Sequence, residues 1–121
     1  MTSPNPQWPF AVALCVEIAG HPLHPSFDCT EVVEVFFRTC STGNMRYVCN
    51  TGPTPVFFEI WEHSHWVRYV YHAVFELDGY VFDPYWSATP MRAEDYLARL
   101  QEHNPSVPLR WCDELPATYP Q

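Results

Sequence analysis

Thiol catalysis needs a cysteine that can act as thiolate, a base that takes and returns its proton, and a group that orients the base. The chain carries candidates for all three, in the order Cys29, His72 and Asp83. Cys29 follows Asp28, and Glu31 stands three residues beyond that aspartate, a capping-box spacing that predicts a helix opening at the cysteine. Unsatisfied N–H groups and the positive end of the dipole favour an anion at such a position. His72 and Asp83 flank Asp78-Gly79, the favoured pair for a two-residue type I′ hairpin turn. With these two residues as the turn, Leu77 faces Tyr80, Val74 faces Asp83 and His72 faces Tyr85. His72 and Asp83 then share one strand face as diagonal neighbours, with backbones roughly 7–8 Å apart, a gap that an imidazole and a carboxylate bridge. Tyr71, Ala73, Phe75, Leu77, Tyr80 and Phe82 fall on the opposite, apolar face.

The elements that must hold these residues follow from the surrounding pattern. Residues 1–9 read as an extended arm, and 10–121 as one domain. Phe10–Ala19 is an apolar segment that fits a short helix or a buried strand, stopped by Gly20 and the proline-rich run after it. From Asp28 to Cys40 the spacing of Cys29, Val32, Val33, Phe36, Phe37 and Cys40 predicts a helix with one apolar stripe, which turns Cys29 toward the sheet. Gly43-Asn44 ends it, and Met45–Cys49 reads as a short strand. Thr54-Pro55 predicts a second helix with Val56, Phe57, Ile60 and Trp61 on one face. Trp66–Leu77 and Tyr80–Asp83 form the hairpin arms, and Thr89-Pro90 opens a last helix through His103, with Met91, Tyr96, Leu97 and Leu100 inward. A strand near Leu109–Cys112 completes an α+β reading, a Cys-bearing helix packed on a small antiparallel sheet.

Composition narrows the function classes. A 47% hydrophobic, 17% aromatic chain of 121 residues is a packed domain, not a disordered or fibrous one. Fourteen acidic residues stand against six basic ones, all arginine, giving a net charge of -8. A general nucleic-acid binder needs clustered cations to displace phosphate counterions, so no nucleic-acid partner is expected. The absence of lysine fits a coding bias toward GC-rich codons. No secretory signal or membrane span is visible. Five cysteines, an odd number, leave at least one free unless chains pair, which suits a thiol enzyme better than a disulfide framework.

Phe27-Asp28-Cys29-Thr30-Glu31-Val32-Val33, followed by the run from His72 to Asp83-Pro84, resembles the papain-like cysteine enzymes in the broad sense. Within them it is most similar to small papain-fold domains of bacterial toxins and effectors, over about residues 27–85. The Asp-Cys pair is also similar to NlpC-type cell-wall endopeptidases, and His-Ala with a later Asp-Pro to transglutaminase cores. The resemblance implies Cys29 as nucleophile, His72 as general base and acid, Asp83 as the orienting acid, and no cofactor. It implies a protein or peptide amide as substrate, a protease or glutamine deamidase as the activity, and an inhibitor or immunity protein as a possible partner. The glutamine that papain carries ahead of its cysteine has no counterpart between Gln7 and Cys29, so one oxyanion donor is unassigned.

Other readings stand beside this one. Cys15, Cys40 and Cys49 are alternative nucleophiles; Cys15 reads as core, and Cys40 falls at a helix C-terminus, where the dipole disfavours a thiolate. His21, His24 and Cys29, with His63 and His65 as further ligands, make a rival zinc reading, although no Cys-x2-Cys pair supports it. Trp66, Tyr85 and Trp86, within a larger group holding Trp61, Tyr69 and Tyr71, are candidates to line a substrate cleft, or else core and sheet face. A non-catalytic papain-fold or acidic module docking on a basic protein is the alternative from a different class.

Overall fold

The computed structural model describes residues 5–23, 28–51, 56–62 and 65–114. The chain opens with α1 (Trp8–Gly20), which carries Pro9 in its first turn, where a missing N–H leaves no hydrogen bond unmade. The helix thus begins inside the segment expected to be an extended arm. Trp8 anchors it, packing edge-on against Tyr80 and Phe82 at ring distances of 5.1 and 5.3 Å. The Phe10–Ala19 segment, which fitted helix or strand, is helical.

Helix α2 (Cys29–Thr39) starts where the capping box places it. The Asp28 carboxylate accepts from the Glu31 N–H at 2.9 Å, and the Asp28 N–H donates to the Glu31 carboxylate at 3.3 Å. Cys29, Val32, Val33 and Phe36 form its buried stripe. Gly43, at φ +123°, turns the chain into β1 (Asn44–Asn50); a side chain there would run into the Phe75 ring.

Strands β2 (Phe58–Glu62) and β3 (His65–Tyr69) pair as a separate two-stranded ribbon. The helix expected from Thr54-Pro55 is therefore overturned where it is described, residues 54 and 55 lying outside the described set. Phe58, Ile60 and Glu62 are buried while Glu59 and Trp61 are exposed, a period of two set by pairing with β3. The single strand expected from Trp66 to Leu77 is likewise two, β3 and then β4 (Tyr71–Leu77), broken by a bend at Val70.

The hairpin from β4 to β5 (Tyr80–Phe82) has the expected register: Leu77 faces Tyr80, and Phe75 faces Phe82. Asp78 and Gly79 both take positive φ, 54° and 82°, as a type I′ turn requires. The last helix starts later than Thr89-Pro90 suggests. Met91–Arg92 form β6 on the edge of β5, and α3 (Ala93–His103) follows, before β7 (Leu109–Cys112). Met91 pairs with Val81 and Arg92 with Tyr80, so the sheet edge takes these two residues before the helix begins.

Among the described residues the fold is α+β, three helices on an antiparallel sheet ordered β6-β5-β4-β1-β7. Side chains alternate along β4. Ala73, Phe75 and Leu77 pack with α1 and α2, where Phe36 stacks on Phe75 at 4.9 Å. Val74 packs on the other face with Val48, Val81, Tyr96 and Leu100, under α3. Cys49 and Cys112 form a disulfide between β1 and β7, so Cys49 is not an available nucleophile. Cys15, Cys29 and Cys40 are free thiols. Among the described residues no helix is long and apolar enough to cross a membrane.

Candidate active site

Strand β4 begins and β5 ends at the same end of the sheet, and α2 aims its N-terminus there. The three residues singled out by type and spacing meet at that end. His72, the second residue of β4, points its Nε2 at Asp83 Oδ2, 3.0 Å away. Asp83 follows directly on β5; its carbonyl accepts the N–H groups of Trp86 and Ser87 at 3.0 and 2.9 Å, which fixes the turn after it. The Cys29 sulfur accepts the N–H of Ala73 at 3.3 Å, a link from α2 to β4 beside the histidine. Cys29, His72 and Asp83 are 6%, 4% and 8% exposed, so solvent only grazes the group.

Burial alone would strip the proton from the His72 ring. The hydrogen bond to Asp83, the neighbouring Cys29 sulfur and the negative charge of both outweigh it, and the imidazole pKa rises from 6.5 to about 10. With Nε2 taken by Asp83, Nδ1 is the nitrogen left for the thiol, and it makes no hydrogen bond of good geometry among the described residues. At neutral pH the ring is thus an imidazolium held against a carboxylate.

The two other free thiols are poorly placed. Burial, with Asp83's charge in second place, pushes Cys15 up to about 12, and its sulfur donates to the Ser87 carbonyl at 3.5 Å. Burial also raises the Cys40 thiol.

Two tyrosines complete the surroundings. Tyr69 lies against the His72 ring at 5.5 Å and donates its hydroxyl to the buried Glu62 at 2.6 Å. Tyr96, from α3, donates to Asp83 Oδ2 at 2.6 Å, on the oxygen that His72 also uses. Sequence reasoning marked Tyr96 only as an inward residue of the last helix. A tyrosine on an otherwise aliphatic helix stripe is the signal that was available, since a buried hydroxyl must find a partner.

The candidate cleft residues divide. Trp66, 39% exposed, joins Trp61 at 5.3 Å, Trp86 at 6.2 Å and His103 at 4.8 Å, and Trp86 reaches Tyr96 at 5.9 Å. Tyr85 instead packs against the α1–α2 core and accepts the Leu23 N–H at 3.2 Å. The three do not form one wall. For the zinc reading, His24 and His63 lie outside the described residues, and among the described ones no group of three ligating side chains is arranged to hold a metal ion. Comparison with family models, curated proteins and solved structures gives no match.

Proposed function

We propose that the chain is a papain-like thiol enzyme acting on protein amide groups, a cysteine protease or glutamine deamidase of the kind found in small bacterial toxin and effector domains. One observation carries the reading: a free cysteine at a helix N-terminus, accepting a backbone N–H, beside a histidine whose far nitrogen is bound to a buried aspartate. The proton of the thiol resides on His72 in the resting pair. Cys29 sulfur attacks the amide carbonyl, forming the C–S bond, and the carbonyl electrons move onto oxygen. Collapse expels the amine or ammonia, which takes the His72 proton. Water then attacks the thioester, His72 accepts its proton, and the acid leaves as the sulfur departs. Asp83 keeps the ring in position and balances its charge throughout. Trp66 and Trp86, contiguous and partly exposed, offer apolar surface to a substrate chain.

Alkylation tests the first step. Iodoacetamide at pH 6–7 should label Cys29 at least about tenfold faster than Cys15 or Cys40, because an ordinary thiol is mostly protonated there. His72→Ala should remove the difference. Cys29 labelling no faster than the other two sinks the reading. Mass spectrometry of a proteome treated with the native chain or with Cys29→Ala then separates cleavage from deamidation by product.

A further inference from the structure

We infer that Tyr96 is a fourth member of this site, a positioning residue that holds Asp83 as the charged partner of His72. The inference rests on the thiol-enzyme reading and extends it to α3, an element that the resemblance does not cover. Asp83 Oδ2 takes two donors, His72 Nε2 at 3.0 Å and the Tyr96 hydroxyl at 2.6 Å. The tyrosine is 1% exposed and cannot give its hydrogen to water instead. Its ring is clamped between Trp111, stacked at 5.9 Å, and Trp86, also at 5.9 Å. Burial and the Asp83 charge hold its phenol well above the ordinary range, so it remains a donor at any pH the fold survives.

The aspartate needs such help. Its main chain is fixed by the turn through Trp86 and Ser87, but a side chain pinned by His72 alone would carry its charge in a nearly dry site. A donor on a carboxylate favours its charged form, and a second donor on the same oxygen also limits its rotation. The groups that face Asp83 from the packed elements are His72 from β4, Tyr96 from α3, Cys15 from α1, and Tyr69 and Tyr85 at longer range. Of these, only His72 and Tyr96 donate a hydrogen to its side chain among the described contacts.

The test is the labelling rate of Cys29 by iodoacetamide, read by peptide mass mapping on the full chain. Tyr96→Phe keeps the ring and should slow labelling about five- to tenfold, the factor that one net hydrogen bond carries. In an Asp83→Ala background the same change should do nothing, because the residue acts through Asp83. The acid limb of the rate profile should also move to higher pH in Tyr96→Phe, which a merely structural ring would not cause. Replacement by p-aminophenylalanine, which retains a donor, should restore the rate. An unchanged rate in Tyr96→Phe, or an equal slowing with and without Asp83, overturns the inference. If Tyr96→Phe does not fold, a p-aminophenylalanine variant labelled as slowly as Asp83→Ala overturns it instead. The two claims fail separately: no effect of His72→Ala removes the thiol-enzyme reading, whereas an effect of His72→Ala with none of Tyr96→Phe removes only the tyrosine.

Discussion

The two faces of the five-stranded sheet both bury apolar side chains, but only one mixes buried polar groups among them. Toward α1 and α2 the interior is apolar, with Phe36, Phe75 and Phe82 in mutual ring contact and valines, alanines and cysteines around them. Toward α3 and the ribbon an apolar cluster of Val48, Phe58, Ile60, Val74, Val81 and Leu100 shares the interior with Asn50, Glu62, His72, Asp83 and Asn104, all buried. Dispersion and dehydration hold the first layer and need no particular angles. The second layer requires its polar groups to be answered. Asn104 does so three times, accepting from the Glu59 N–H at 2.7 Å and donating to the carbonyls of Glu59 and Leu100 at 3.0 and 2.9 Å. Cys29 belongs to the apolar layer by its helix and meets the polar layer at the sheet end, through Ala73 and His72. Apolar burial is thus common to both faces while the buried polar groups lie on one, and the candidate site lies at the seam.

That contrast can be broken layer by layer. Phe36→Ala should have the largest effect on stability, a loss of about 3–5 kcal/mol by urea unfolding, because it removes a fully buried ring that stacks on Phe75. Among molecules that remain folded, the Cys29 labelling rate should change little; a large drop would mean that the apolar layer also sets the site geometry. Asn104→Ala should cost about 2–3 kcal/mol, since it strands Glu59 and Leu100 backbone groups. A cost below about 0.5 kcal/mol would show that water replaces the side chain, contrary to a dry polar layer.

The pH dependence gives the most specific test. The folded-state pKa of His72 is raised, from 6.5 to about 10, so its contribution is complete below pH 6.5 and is lost as pH rises through 10. Unfolding free energy should therefore fall across that window. Asp83→Asn, by removing the main group that supports the imidazolium, should flatten the fall. An equal slope in both proteins would mean that the ion pair does not form.

Local signals are legible wherever the chain's own chemistry decides. Asp28 and Glu31 specify the start of α2 because both partners of the capping box lie within one turn. Asp78-Gly79 sets the hairpin register because only a positive-φ pair closes a two-residue loop with the right twist, and that register brings His72 to Asp83. The segments that depart from their local pattern are those whose partners are distant. Phe58–Glu62 became a strand because β3 offered it a ladder, and Met91–Arg92 joined the sheet because the edge of β5 was open. Trp66–Leu77 broke at Val70 because its halves answer to different sheets.

Sequence alone thus determined the cap under Cys29, the turn beneath His72 and Asp83, and the order of the three residues, all consequences of contacts a few residues apart. Only the tertiary structure decided that Cys49 pairs with Cys112, that the amide of Ala73 reaches the Cys29 sulfur, and that Tyr96 shares an oxygen of Asp83. Those contacts join elements far apart in the chain, where hydrogen-bond geometry depends on how layers pack and no local spacing encodes it.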